Sequence, residues 1–71
     1  MDQTTTHPDR LLRLSEVMRI VPLTRASIYR AIRAGRFPRP MKLLGGRASA
    51  WSSAEIAAWV AARLAEREVG R

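Results

Sequence analysis

Between residues 17 and 51 the chain carries eight cations and no carboxylate: Arg19, Arg25, Arg30, Arg33, Arg36, Arg39, Lys42 and Arg47. The flanks are balanced. Arg10 and Arg13 face Asp2, Asp9 and Glu16 at one end, and Arg63, Arg67 and Arg71 face Glu55, Glu66 and Glu68 at the other. The formal charge of +7 therefore lies in the middle half of the 71 residues. A surface that serves only solubility mixes signs, whereas a block of one sign suits a polyanion. Twelve of the thirteen cations are Arg, whose planar fork matches phosphate oxygens and the major-groove edge of guanine.

Other chemistries find little support in the residue types. Cysteine is absent and His7 is the single histidine, so no thiolate or paired-imidazole metal site can be assembled. His7 reads as a solvated tail residue. Glu16 is the one acid between residue 11 and the final helix. No carboxylate pair forms without Glu55, which has a capping role, and no nucleophile–base pair is available, so an enzyme is not expected. No apolar run approaches the roughly 20 residues of a membrane span, and no secretory leader is visible. The expected cofactors and metals are none.

The cations need short helices to hold them. Residues 1–10 lack apolar residues after Met1 and read as a disordered tail, leaving 11–69 as one domain. Leu14, Val17, Met18 and Val21 form one helical stripe, with Ser15 as the expected N-cap and Glu16 in the first turn. Pro22 ends this helix after about seven residues, too few to persist without packing. Thr24 caps a second helix over 25–34, which Gly35 stops. At about 100° per residue, Ile28, Ala31 and Ile32 face inward, while Ala26, Tyr29, Arg30 and Arg33 form the outward stripe. Two short helices across a tight turn, the second with a basic outer face, make a helix-turn-helix pattern.

Pro38 and Pro40 enforce an extended link after the second helix, with Phe37 as a core plug. Met41–Leu44, Gly45-Gly46 and Arg47–Trp51 read as a β-hairpin around a two-residue Gly-Gly turn. That register pairs Leu43 with Ala48 and Met41 with Ala50 on one face. Lys42, Ser49 and Arg47 fall on the other, together with Leu44 and Trp51 unless a bulge intervenes. A phosphate-cradling Gly-Gly loop is disfavoured, because neither helix nor Lys follows as in a nucleotide site. Ser52-Ser53-Ala54-Glu55 opens a final Ala-rich helix over 53–68 with a capping box. Ile56, Trp59, Val60 and Leu64 form its apolar stripe, which lacks the heptads of a long coiled coil. The expected core is Leu14, Val17, Met18, Val21, Leu23, Ile28, Ile32, Phe37, Ile56 and Trp59.

This order of elements resembles the AlpA family of prophage regulators. The resemblance runs through Leu12–Val17, Leu23–Arg30, Gly35–Pro38, Lys42–Ala48 and Trp51–Trp59, and spans about residues 11–64. Each piece is short; five in one order are specific. The sequence departs from the family in the interhelix turn, where Pro22 replaces a residue such as Gly, and before Gly45, where Leu43-Leu44 adds one residue. The family is similar in fold to the winged helix-turn-helix domains of MerR-like regulators and phage excisionases. The resemblance implies a cytoplasmic, nucleoid-associated transcription regulator that binds double-stranded DNA. It implies a mostly α fold of three helices plus a hairpin wing, with 25–34 in the major groove and 41–51 as the wing.

On that reading Arg25, Ser27, Tyr29, Arg30 and Arg33 form the DNA surface, with Arg30 and Arg33 long enough to read guanine or clasp phosphate. Lys42 and Arg47 on the wing contact the backbone or minor groove. RNA polymerase or an integrase are the candidate protein partners, and self-association would occur on DNA. Two rival readings remain open. An excisionase-like architectural factor uses the same fold to bend DNA for recombination. An anti-repressor-type interaction module would use the Ala-rich final helix and bind DNA little.

Overall fold

A computed structural model describes residues 9–69. The chain runs β1 (Leu11–Leu12), α1 (Leu14–Ile20), α2 (Arg25–Arg33), β2 (Met41–Leu43), β3 (Ala48–Ser52) and α3 (Ser53–Val69). The three strands form one antiparallel sheet in the order β1-β3-β2. Three helices thus pack with a three-stranded sheet, where the residues alone suggested only a hairpin. The added strand, β1, is two residues long, and pairs Leu11 with Ser52 and Leu12 with Trp51.

Helix α1 has the expected length of seven residues, yet its N-cap is Arg13, not Ser15. The Glu16 carboxylate accepts from the Arg13 backbone N–H at 2.9 Å, which fixes the start two residues earlier. Thr24 caps α2 as expected, its Oγ1 accepting from the Ser27 N–H at 3.1 Å. At the other end Gly35 adopts φ +74°, and two backbone bonds close a Schellman motif. The Gly35 N–H donates to the Ile32 carbonyl at 3.0 Å and the Arg36 N–H to the Ala31 carbonyl at 2.8 Å.

The hairpin register is the expected one: Met41 opposite Ala50, Lys42 opposite Ser49 and Leu43 opposite Ala48. Its turn differs. Residues 44–47 all leave the ladder, with Leu44, Gly45 and Gly46 at φ +49°, +67° and +92°, and the Arg47 N–H donates to the Leu44 carbonyl at 3.3 Å. The two-residue Gly-Gly loop is corrected to this four-residue turn. Pairing is continuous, so no bulge moves Trp51. Trp51 shares a face with Leu12, Ser49 and Lys42 and is nonetheless fully buried, because Tyr29 of α2 meets its ring edge-on at 6.3 Å. Its Nε1 donates to the Pro38 carbonyl at 3.0 Å, which satisfies the one polar atom of the indole.

The core holds Leu12, Val17, Val21, Ile28, Phe37, Trp51 and Ile56, with Leu14, Leu23, Ile32 and Trp59 packed partly buried against it. One expected core residue is corrected: Met18 is exposed, and the stripe residue Leu64 on the far half of α3 is exposed too. Both lie on their helix's apolar stripe, but the sheet and neighbouring helices do not extend over them. Leu12 and Trp51 take their place. Phe37 plugs the core as expected and meets Trp59 edge-on at 4.9 Å.

The tail expected over 1–10 lies outside the described residues except for Asp9 and Arg10, and these two are tied down. The Asp9 carboxylate accepts from Ser52 Oγ at 2.8 Å, the Ala54 N–H at 3.2 Å and Ser53 Oγ at 3.3 Å. Arg10 and Ser53 exchange two bonds of 2.8 Å, Arg10 N–H to Ser53 Oγ and Ser53 N–H to the Arg10 carbonyl. Ser52 Oγ also accepts from the Glu55 N–H at 3.2 Å, which is the serine half of the expected capping box, and Asp9 extends this cap of α3.

Candidate nucleic-acid interface

The cations of α2 are held by the way its two ends are capped. Thr24 starts the helix so that Arg25 is exposed in its first turn and Arg30 and Arg33 leave on the side opposite Ile28. Ile28 is fully buried, which locks the rotation of the helix about its axis and so the direction of the two Arg. The expected outward stripe is thus half right for its aromatic member. Arg30 and Arg33 are exposed, whereas Tyr29 is half-buried on the flank towards the sheet, its ring against Trp51.

A hydroxyl relay runs along the start of α2. Ser27 Oγ receives the Thr24 hydroxyl proton across 3.0 Å, and accepts from Arg30 Nη2 at 3.3 Å. Two of the hydrogen-bonding positions of Ser27 are therefore used within the helix, and the Arg30 guanidinium is drawn back towards the N-terminal turn. Spacing alone identifies Ser27 and Arg30 as neighbours but not this shared bond.

The hairpin supplies the second group. Lys42 is exposed on β2 with its Nζ 3.4 Å from Ser49 Oγ, and Arg47 is exposed in the turn beside Gly46. The long flexible stems of both can redirect their charges without disturbing the ladder. Arg36 and Arg39, in the link, are exposed as well.

The carboxylates lie elsewhere. Among the described residues the ion pairs are Arg10 with Glu16 at 3.8 Å and Arg63 with Glu66 at 2.6 Å, both outside residues 17–51. Asp9 is engaged at the start of α3. The Ser52 hydroxyl first, then the Ala54 N–H, hold its carboxyl below the ordinary 3.8. Arg25, Arg30, Arg33, Lys42 and Arg47 have no carboxylate partner in the described structure. Arg63 stacks over the Trp59 ring at 5.0 Å, and Trp59 Nε1 donates to the Arg36 carbonyl at 2.7 Å, so that end of α3 is occupied in holding the link. Among the described residues no cluster of three or more His, Cys, Asp or Glu could hold a metal ion, and no helix is long and apolar enough to cross a membrane.

Comparison with known proteins bears on the same stretch of chain. The family described as prophage CP4-57 regulatory protein (AlpA) matches residues 10–64. The uncharacterized protein ORF88 of Enterobacteria phage P4 is 47% identical over 62 residues, covering 87% of this chain and 69% of that protein. No solved structure matches. The family match takes in β1, both short helices, the hairpin and the first two-thirds of α3, the parts that orient and anchor the unpaired cations. This chain belongs to the AlpA family of prophage regulatory proteins.

Proposed function

We propose that the chain is a winged helix-turn-helix protein that binds duplex DNA at specific sequences and regulates transcription from a prophage or another mobile element. Helices α1 and α2 form the helix-turn-helix, α2 enters the major groove, and the hairpin 41–51 is the wing. The protein acts on the nucleoid in the cytoplasm.

The carrying observation is the unpaired cationic group on α2 and the hairpin. Five cations, Arg25, Arg30, Arg33, Lys42 and Arg47, stand without a carboxylate partner among the described residues. A polyanion fits such a surface, and the mixture of one exposed helix face and one hairpin tip fits the two grooves of a duplex. Arg30 and Arg33 read base edges. Arg25, Lys42 and Arg47 hold phosphates and set the register. Tyr29 joins the sheet to the reading helix, since its ring packs on Trp51 while its helix turn carries Arg30.

The test is recovery of bound duplexes from a random pool by the full chain, followed by the mass of the complex. A consensus a few base pairs long is expected, and its half-site spacing with the mass gives the stoichiometry. Retention of all sequences alike, or of none, refutes the proposal. Adding RNA polymerase or an integrase to the recovered complex then identifies which protein partner the bound chain meets.

A further inference from the structure

Leu44 is the least explained residue of the hairpin. It stands at the tip of the turn, 82% exposed, more than any other large apolar residue in the described structure. It also has φ +49°, the single left-handed non-glycine among the described residues. A branched apolar side chain there is costly twice, once for the backbone and once for the water it faces. Glycine or Asn would relieve the backbone and add polarity or space. Among the described residues nothing buries this side chain to compensate.

Its surroundings match one kind of surface. Gly45 and Gly46 follow directly, and a Cβ at either would meet nothing within 4 Å, so the backbone of the tip lies open to close approach. Lys42 and Arg47 flank the tip, without carboxylate partners among the described residues. An apolar side chain projecting from a bare glycine tip between two cations is complementary to the DNA minor groove. That groove is about 6 Å wide, too narrow for a helix, and phosphates line both its edges. Apolar side chains that enter it wedge between base steps and kink the duplex.

We propose that Leu44 is a minor-groove wedge: it inserts at a base step, opens it, and bends the DNA while Lys42 and Arg47 grip the flanking phosphates. This rests on the duplex-DNA reading above. The wedge adds specificity without hydrogen bonds, because pyrimidine–purine steps open most easily. The recovered sites therefore carry a TA or CA/TG step at a fixed distance from the bases read by α2.

The experiment compares the full chain with Leu44→Asn and Leu44→Met. Asn suits a left-handed backbone, so the turn is kept while the apolar group is lost; Met keeps an apolar group of similar size. Duplexes are recovered from a random pool by each protein, then labelled at both ends for energy transfer. The parent and Leu44→Met shorten the end-to-end distance, consistent with a bend of roughly 20–90°. Leu44→Asn leaves the duplex straight, binds about ten- to a hundredfold more weakly, the equivalent of one leucine left unburied, and loses the flexible step from its recovered sites. Leu44→Met keeps the parent's thermal midpoint, since the side chain touches no core, and Leu44→Asn keeps or raises it, since Asn suits the left-handed backbone. A parent complex with straight DNA, or a Leu44→Asn complex as bent and as tight as the parent, overturns the wedge and leaves DNA binding in place. Failure of the parent to recover any duplex removes both readings. Unchanged DNA behaviour with loss of self-association in Leu44→Asn also overturns the wedge, and assigns the side chain to a second copy.

Discussion

Replacing Trp51 by Ala should cost far more stability than replacing Trp59, although Trp59 is the tryptophan that helical periodicity puts in the core. Trp51 is fully buried, edge-on to Tyr29 at 6.3 Å and hydrogen-bonded to the Pro38 carbonyl at 3.0 Å. Its removal empties the space between Leu12 of β1 and Tyr29 of α2 and leaves that carbonyl without its donor. Burial of this kind gives about 3–5 kcal/mol on truncation to Ala. A domain of this size has in total about 0.05–0.15 kcal/mol per residue, so Trp51→Ala leaves little or no folded protein. Trp59 is half-exposed and meets Phe37 and the Arg36 carbonyl, which sets its cost at roughly half that range, about 1.5–2.5 kcal/mol. Urea unfolding followed by circular dichroism measures both. Trp51→Phe, which keeps most of the volume and loses the N–H donor, supplies a folded variant expected to lose about 1–3 kcal/mol. Equal costs at the two tryptophans, or a larger one at Trp59, would refute the packing described.

Arg30→Ala should weaken the preferred site more than random DNA, by about 1–3 kcal/mol of discrimination, and relax the consensus at one base pair; Arg47→Ala should weaken both alike. Paired titrations on specific and random duplex decide between them, and the reverse pattern would make the hairpin the reading element. Asp9 is held below its ordinary value by the Ser52 hydroxyl and the Ala54 N–H, so its bonds support the fold above pH 3.8 and are lost as pH falls through the lowered value. Asp9→Asn should therefore lower the thermal midpoint at neutral pH and flatten its fall below about pH 4. A midpoint equal to the parent's at pH 7 would contradict the cap.

Local signals were legible where one residue type has one local use. Thr24, Gly35 and the Ser52–Glu55 spacing each marked a helix end, and the alternation in 41–50 set the strand register. What was hidden depended on distant partners. Asp9 finds Ser52 across 43 residues, and nothing near Asp9 announces it. Strand β1 is two residues long, too short for any period to show. Trp51 falls on the polar side of its strand by alternation, and is buried in a cluster that includes Leu12 and, from α2, the Tyr29 ring. Met18 and Leu64 show the converse error: a helical stripe records what could be buried, and the neighbouring elements decide how far along it burial extends. At the candidate interface the charged residues could be read from the acid-free block. The engagement of Ser27 by both Thr24 and Arg30, and the turn of Tyr29 towards Trp51, are side-chain geometry that spacing does not encode.

The central claim is that five cations lacking carboxylate partners among the described residues, Arg25, Arg30, Arg33, Lys42 and Arg47, meet DNA phosphates or base edges. Each phosphate neutralised releases condensed counterions, so log K falls against log salt by about 0.9 per contact. With Arg25, Lys42 and Arg47 on phosphates and Arg30 and Arg33 on base edges, titration of the full chain onto its recovered duplex at a series of salt concentrations should give a slope of about −3. A slope near zero, or no binding even at low salt, would contradict the account.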